Sequence, residues 1–152
     1  FEISPVVPKK INLKGKEGFE IIDELTNEQK FELAWGSNMI LSATAASTIL
    51  IYLDGKTIVK RGLISNLTFE PGPICLKSTQ QKRFISLVNT ALFPGKEEFD
   101  SIIQGLPSVL VYPLANRGWT IVGGWTIRCF TKSDEKWISG WSEKLKLELA
   151  TI

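Results

Sequence analysis

At 152 residues, 43% hydrophobic and 22% charged, the chain has the size and composition of one globular domain with a single sizeable core, and general disorder is excluded. A formal net charge of +2, with no stripe of lysine and arginine interleaved with aromatics, gives no ground for a nucleic-acid partner. Histidine is absent, which excludes a Ser-His-Asp or Cys-His apparatus and any metal or haem site with imidazole ligands supplied by this chain alone.

The chain begins with Phe1 and not methionine, which points to a piece or processed product of a longer protein, and no secretory signal is visible. Residues 1–25, with two prolines and the basic cluster Lys9, Lys10, Lys14 and Lys16, read as an extended arm carrying one edge strand at most. A single domain over 26–152 follows. Thr26-Asn27-Glu28-Gln29 has the capping-box spacing and opens a helix that runs to about Ala46. Phe31, Ala34, Trp35, Asn38, Leu41 and Ala45 form the stripe expected to meet a sheet, while Leu33 and Ile40 widen the apolar surface.

The stretch 33–53 carries no charge and is long enough to invite a membrane reading. Its serines, threonines and Gly36, and the change midway from helical to strand-like pattern, identify it instead as a buried helix feeding a strand. Thr48–Leu53 and Lys56–Ile64 flank Asp54-Gly55, a two-residue turn signal, and make a β-hairpin. Pro71-Gly72-Pro73 breaks an irregular segment. Ser78-Thr79-Gln80-Gln81 repeats the capping-box spacing, which predicts an amphipathic helix through Phe84, Ile85, Leu87, Val88 and Leu92, with one or two further turns over 96–103.

A second hairpin spans 108–130, with an apolar run at 109–111, a turn at Asn116-Arg117-Gly118 and a return run from Trp119 to Ile127. Both of its faces carry apolar residues, so it is expected at the centre of the sheet, and Gly123-Gly124 marks a bulge or a close backbone approach. Ser133 is the expected N-cap of a last helix, whose stripe is Trp137, Ile138, Trp141, Leu145 and Leu149. The sum is an α+β domain: an antiparallel sheet of two hairpins with the N- and C-terminal helices packed on one face. This order of elements resembles a GAF-like domain.

Sites for chemistry are sparse. Asp54 is explained by its turn, and the adjacent pairs Glu97-Glu98 and Asp134-Glu135 diverge on a helix, so no paired acid–base work and no metal site are expected. Cys75 and Cys129 have no CxxC spacing and read as reduced thiols, with a disulfide as the alternative. Trp119 and Trp125, on one strand face, are the weak candidates for the floor of a ligand cleft, and Cys75 lies in the segment that would cover it. No catalytic residue is assigned and the chain is not read as an enzyme.

Four segments carry a resemblance to a known family: LKGKEGFEI at 13–21, ELAWGSNMILSATAASTILIYLDG at 32–55, KRG at 60–62, and VYPLANRGWTIVGGWTIRCFTKSDEKWISGWSEKL at 111–145. Over most of its length the chain resembles the B-type proteins for cofactor assembly of complex C, found in plants and cyanobacteria. The resemblance implies a protein anchored in the chloroplast or cyanobacterial thylakoid membrane by a pair of helices absent here, with this domain on the stromal or cytoplasmic side. It implies a non-catalytic assembly factor that helps attach haem covalently to cytochrome b6 during biogenesis of the cytochrome b6f complex. The implied partners are a paralogous assembly subunit and apocytochrome b6. With no histidine, no stably bound cofactor is expected, only transient contact with haem. The competing reading is a GAF-type sensor of a small molecule or tetrapyrrole, with a pocket between the sheet and residues 65–77. Leu33 and Ile40, left over once the Phe31–Trp35–Asn38 stripe is given to the sheet, are the expected partner interface.

Overall fold

A computed structural model describes residues 13–152; the basic pair Lys9-Lys10 and the rest of 1–12 lie outside the described residues. Strand β1 (Lys16–Ile21) is followed by helix α1 (Asn27–Ala43), the hairpin β2 (Ala46–Leu53) and β3 (Lys56–Ile64), helix α2 (Pro73–Gln81) and a short strand β4 (Ile85–Leu87). Two 3₁₀ turns (Thr90–Leu92 and Lys96–Phe99) lead to the hairpin β5 (Val109–Leu114) and β6 (Gly118–Gly124), and helix α3 (Lys132–Glu148) completes the chain. The six strands form one antiparallel sheet in the order β1-β3-β2-β6-β5-β4. The two hairpins meet through β2 and β6 at its centre, with β1 as the edge strand allowed for in the N-terminal arm.

Both faces of the sheet are covered. On one, Ile49, Ile51, Leu110 and Val122 pack with Leu33 and Ile40 of α1 and with Ile138, Trp141 and Leu145 of α3. On the other, Leu50, Val109, Val111, Trp119 and Ile121 pack with Cys75 of α2 and with Phe69, Phe99 and Ile103 from the irregular segments. The β-branched residues of β2, β5 and β6 suit this doubly covered position.

Gly123 and Gly124 serve both expected purposes. Opposite them β2 bulges between Ala46 and Thr48, and the Ser47 hydroxyl donates to the carbonyls of Gly123 (3.2 Å) and Gly124 (3.3 Å). A β-carbon on Gly124 would lie 2.2 Å from Ser108 Oγ and 2.4 Å from Cys129 Sγ, so neighbouring groups need the empty space.

Several boundaries differ from those the sequence predicts. The turn of the second hairpin is Ala115-Asn116-Arg117, with Ala115 at φ 54°, and Gly118 pairs with Leu114 inside β6. Gly118 is there because a β-carbon would stand 1.8 Å from the carbonyl oxygen of Tyr52 on β2. β6 ends at Gly124 and does not reach Ile127; Trp125 N–H donates to Ala45 O (3.1 Å), and Arg128 turns left-handed at φ 51°.

The helix expected over 78–92 is displaced. α2 starts at Pro73, where a missing N–H costs nothing, and the Glu98 carboxylate accepts from the backbone N–H groups of Ile74 (2.8 Å) and Cys75 (2.9 Å). It stops at Lys82 (φ 54°), after which Ile85 and Leu87 alternate as β4. Spacings that satisfy a helix also satisfy a three-residue strand, and backbone pairing with Val109 and Val111 decides between them. The N-cap of α3 is Thr131, not Ser133: the Thr131 hydroxyl accepts from Asp134 N–H (3.0 Å) and the Asp134 carboxylate from Thr131 N–H (2.9 Å).

Candidate partner-docking face

α1 and α3 run antiparallel across the sheet. Gln29 Nε2 donates to Glu148 O (3.0 Å), and the buried Glu32 accepts from Trp141 Nε1 (2.9 Å) and Lys144 Nζ (3.0 Å). The line of α1 turned inward is Gln29, Glu32, Leu33, Gly36, Ser37 and Ile40. This corrects the assignment of the two stripes. Leu33 and Ile40, expected at a partner interface, are 0% exposed in the core. The stripe expected against the sheet faces outward, with Phe31 71% and Trp35 44% exposed. Small Gly36 and Ser37 let α1 sit low on Trp141 and the sheet, a position that indole and phenyl rings cannot take. A run of small residues at helical spacing was the signal for this, outweighed by the hydrophobicity of the aromatic line.

The outward side of the helix pair is an aromatic patch. Trp137 of α3 is 39% exposed and its ring lies 6.0 Å, centre to centre, from that of Trp35; on its other side it stacks towards Trp141 at 6.5 Å. Phe31 stands one turn before Trp35, and Asn38 and Ser42 continue the same uncharged line. Towards the sheet edge, the Arg61 guanidinium covers the exposed ring of Phe19 at 4.2 Å from its centre, and donates to Ala34 O (2.7 Å) and Ser37 Oγ (3.2 Å). Arg61 thereby fixes β3 to α1 through a cation–π contact and two hydrogen bonds. Exposed Trp and Phe in one rigid patch, with Arg at its border, have the composition of binding hot spots.

The residues weighed for a cofactor do not form a cleft. Trp119 and Cys75 do meet, since Trp119 Nε1 donates to Cys75 O (2.8 Å), but both are buried in the second core. That core fills the space between the sheet and residues 65–77 where a sensor pocket was expected. Trp125 is half-buried beyond the end of β6, away from that pair. Burial and the nearby Glu98 carboxylate push the Cys75 thiol far above its ordinary range, so it is neither a ready nucleophile nor an open ligand. Both cysteines are free thiols, Cys75 buried and Cys129 half-buried beside Ser108 Oγ. Among the described residues no cluster of histidine, cysteine and acidic side chains could hold a metal, and no helix is long and apolar enough to cross a membrane.

The architecture is that of GAF domains. The GAF domain region of a putative membrane protein from Geobacter sulfurreducens PCA superimposes with a TM-score of 0.67 at 12% identity, covering 82% of this chain and 95% of that one. The type II free methionine-R-sulfoxide reductase of Thermoplasma acidophilum gives 0.59 at 12% identity, covering 79% and 93%. At such identities the likeness shows the fold alone.

Residues 1–145 match the CCB2/CCB4 family, described as B-type proteins for cofactor assembly of complex C, and the chain belongs to that family. It is similar to the chloroplastic cofactor assembly of complex C protein CCB4 of Arabidopsis thaliana, 28% identical over 159 residues. The alignment covers 97% of this chain and 52% of that protein, so the chain spans about half the length of the curated relative it matches.

Proposed function

We propose that this chain is the domain by which an assembly factor holds its protein partners while haem is attached covalently to cytochrome b6 in the biogenesis of the cytochrome b6f complex. The observation that carries this reading is the Phe31–Trp35–Trp137 patch, on a chain whose family is named for cofactor assembly. The domain works by surface contact and does not itself catalyse the bond. Its partners are a paralogous assembly subunit and apocytochrome b6, and segments outside this chain hold the protein at the thylakoid membrane, with this domain on the stromal or cytoplasmic side. The chloroplastic relative supports that location.

Haem is cargo in this reading, touched in passing. The absence of histidine, the filled core beneath Trp119 and the buried Cys75 all support transient contact over a resident haem. A methionine sulfoxide reductase shares the fold, but the suppressed Cys75 thiolate favours a binding role over thiol chemistry here.

The test is made in cells. In a strain carrying Trp35→Ser with Trp137→Ser, the protein should accumulate normally while cytochrome b6 loses the haem that survives denaturing electrophoresis. Normal haem attachment in that strain would contradict the reading.

A further inference from the structure

β4 is three residues long and pairs only with Val109–Val111, so β5 from Tyr112 onward has no strand on its outer side. α2 ends near this gap, and Lys82, Arg83 and Phe84 turn the chain into β4. Between that turn, the uncovered end of β5 and helix α3 lies a cleft of about 510 Å³. A further hollow of about 380 Å³ adjoins it, sharing Arg83 and Phe84 and adding Lys77.

Three features of the walls converge. Phe84 stacks on Tyr112, with ring centres 4.9 Å apart and planes 19° from parallel, which gives a flat apolar wall. Lys82, Arg83 and Lys146 face one carboxylate, Glu143, which Lys146 already binds at 2.8 Å. Arg83 Nε donates to Gln81 Oε1 (3.1 Å), and among the described residues neither Lys82 nor Arg83 has an acidic partner. Finally, the buried hydroxyls of Thr79 and Ser142, two residues that line the cleft, have no hydrogen-bond partner, and Ser142 is 2% exposed. A buried hydroxyl without a partner is costly, and a ligand that accepts from it would remove the cost.

We propose that this cleft binds a small amphiphilic anion, a flat apolar ring system carrying an acidic group. The rings lie against Phe84 and Tyr112, and the acidic group is taken by Arg83 and Lys82, with the hydroxyls of Thr79 and Ser142 in reach of polar substituents. A guanidinium suits a planar or branched anion because it donates two parallel hydrogen bonds. The volume falls in the range of small-molecule sites. α3 serves both sites from different sides: Trp137 belongs to the docking patch, while Ser139, Ser142, Glu143 and Lys146 line the cleft. Ligand binding tests the cleft and partner capture tests the docking face, so either can fail alone.

The probe is 8-anilinonaphthalene-1-sulfonate, titrated against the folded protein by fluorescence, with N-phenyl-1-naphthylamine as its uncharged counterpart. The sulfonate is expected to bind saturably, with amide shifts confined to Phe84, Tyr112, Ser142 and their neighbours. Lys82→Glu with Arg83→Glu, both exposed positions, should weaken it roughly tenfold or more, the weight of one charge-assisted hydrogen bond. Ser142→Ala should melt no lower than the unaltered protein and still bind more weakly. No saturable binding, equal binding of the uncharged probe, indifference to the charge reversals, or shifts elsewhere would each overturn the proposal.

Discussion

Gly36 lies so close beneath Trp141 that a β-carbon at position 36 would stand 2.0 Å from Cε2 of the indole. The two residues set the height of α1 above α3, and with it which side of α1 is left for a partner. Trp141 cannot retreat, because its Nε1–H is held by Glu32 (2.9 Å) and its ring is packed among Leu33, Ile40 and Ile138. Gly36→Ala is therefore expected to cost about 1–3 kcal/mol through overpacking. Trp141→Ala should cost about 3–5 kcal/mol through the cavity it leaves. Urea denaturation measures both, and a change of only a few tenths for either would contradict the packing described.

Arg117 ties the tip of the second hairpin to the end of the chain. Its Nε donates to Asp54 Oδ1 (3.0 Å), a terminal nitrogen makes a second, short contact with Asp54, and the same guanidinium reaches Leu149 O (2.8 Å) and Ile152 O (3.1 Å). Arg117→Ala should fray the last turn of α3 and cost about 1 kcal/mol, the low end for charge-assisted bonds because the site is half-exposed. Faster amide exchange confined to the C-terminal turn is the expected signature; unchanged exchange there would contradict it. Asp54 is held below its usual carboxylate range, chiefly by its hydrogen bond to Arg117. Its small contribution is present above the ordinary value of 3.8 and is lost as pH falls through the lower folded value.

The thiols should separate cleanly. Cys129 is half-buried and Cys75 fully buried, so a disulfide reagent at pH 8 is expected to modify Cys129 in the folded protein and Cys75 only on unfolding. Burial raises the Cys75 value above its ordinary 9.0. The folded state then keeps a proton that the unfolded state releases, so this stabilisation is complete below about pH 9 and declines as pH rises beyond it. Rapid modification of both thiols in the folded protein, or no loss of stability from Cys75 above pH 9, would contradict this placement.

Much of the fold was legible because the sequence signals were local. Asp54-Gly55 between β-rich runs, the Thr26–Gln29 capping box and the paired glycines at 123–124 each fix their own geometry. What was not legible depended on distant neighbours. Phe84, Ile85, Leu87 and Val88 fit a helix until β5 offers its edge, and Gly118 looks like a turn residue until Tyr52 of β2 is placed beside it. The docking face was misread for the same reason. Hydrophobicity favoured Phe31 and Trp35 for the core, whereas fit against Trp141 selected Leu33, Gly36, Ser37 and Ile40. The cleft beside β5 could not be seen in advance, because it exists only where a three-residue strand stops short.

The central claim is that the aromatic patch on α1 and α3 holds a protein partner, and affinity for the paralogous subunit tests it most directly. Calorimetric titration should compare the unaltered domain with Trp35→Ser/Trp137→Ser and with Ile40→Lys. The double variant is expected to keep its melting temperature within a few degrees and to lose affinity by roughly a hundredfold, about 2.7 kcal/mol, as paired tryptophan hot spots would. Ile40→Lys, which forces a charge into the core, should instead unfold the domain. Undiminished affinity in the folded double variant would contradict the claim, as would a folded Ile40→Lys that alone abolished binding.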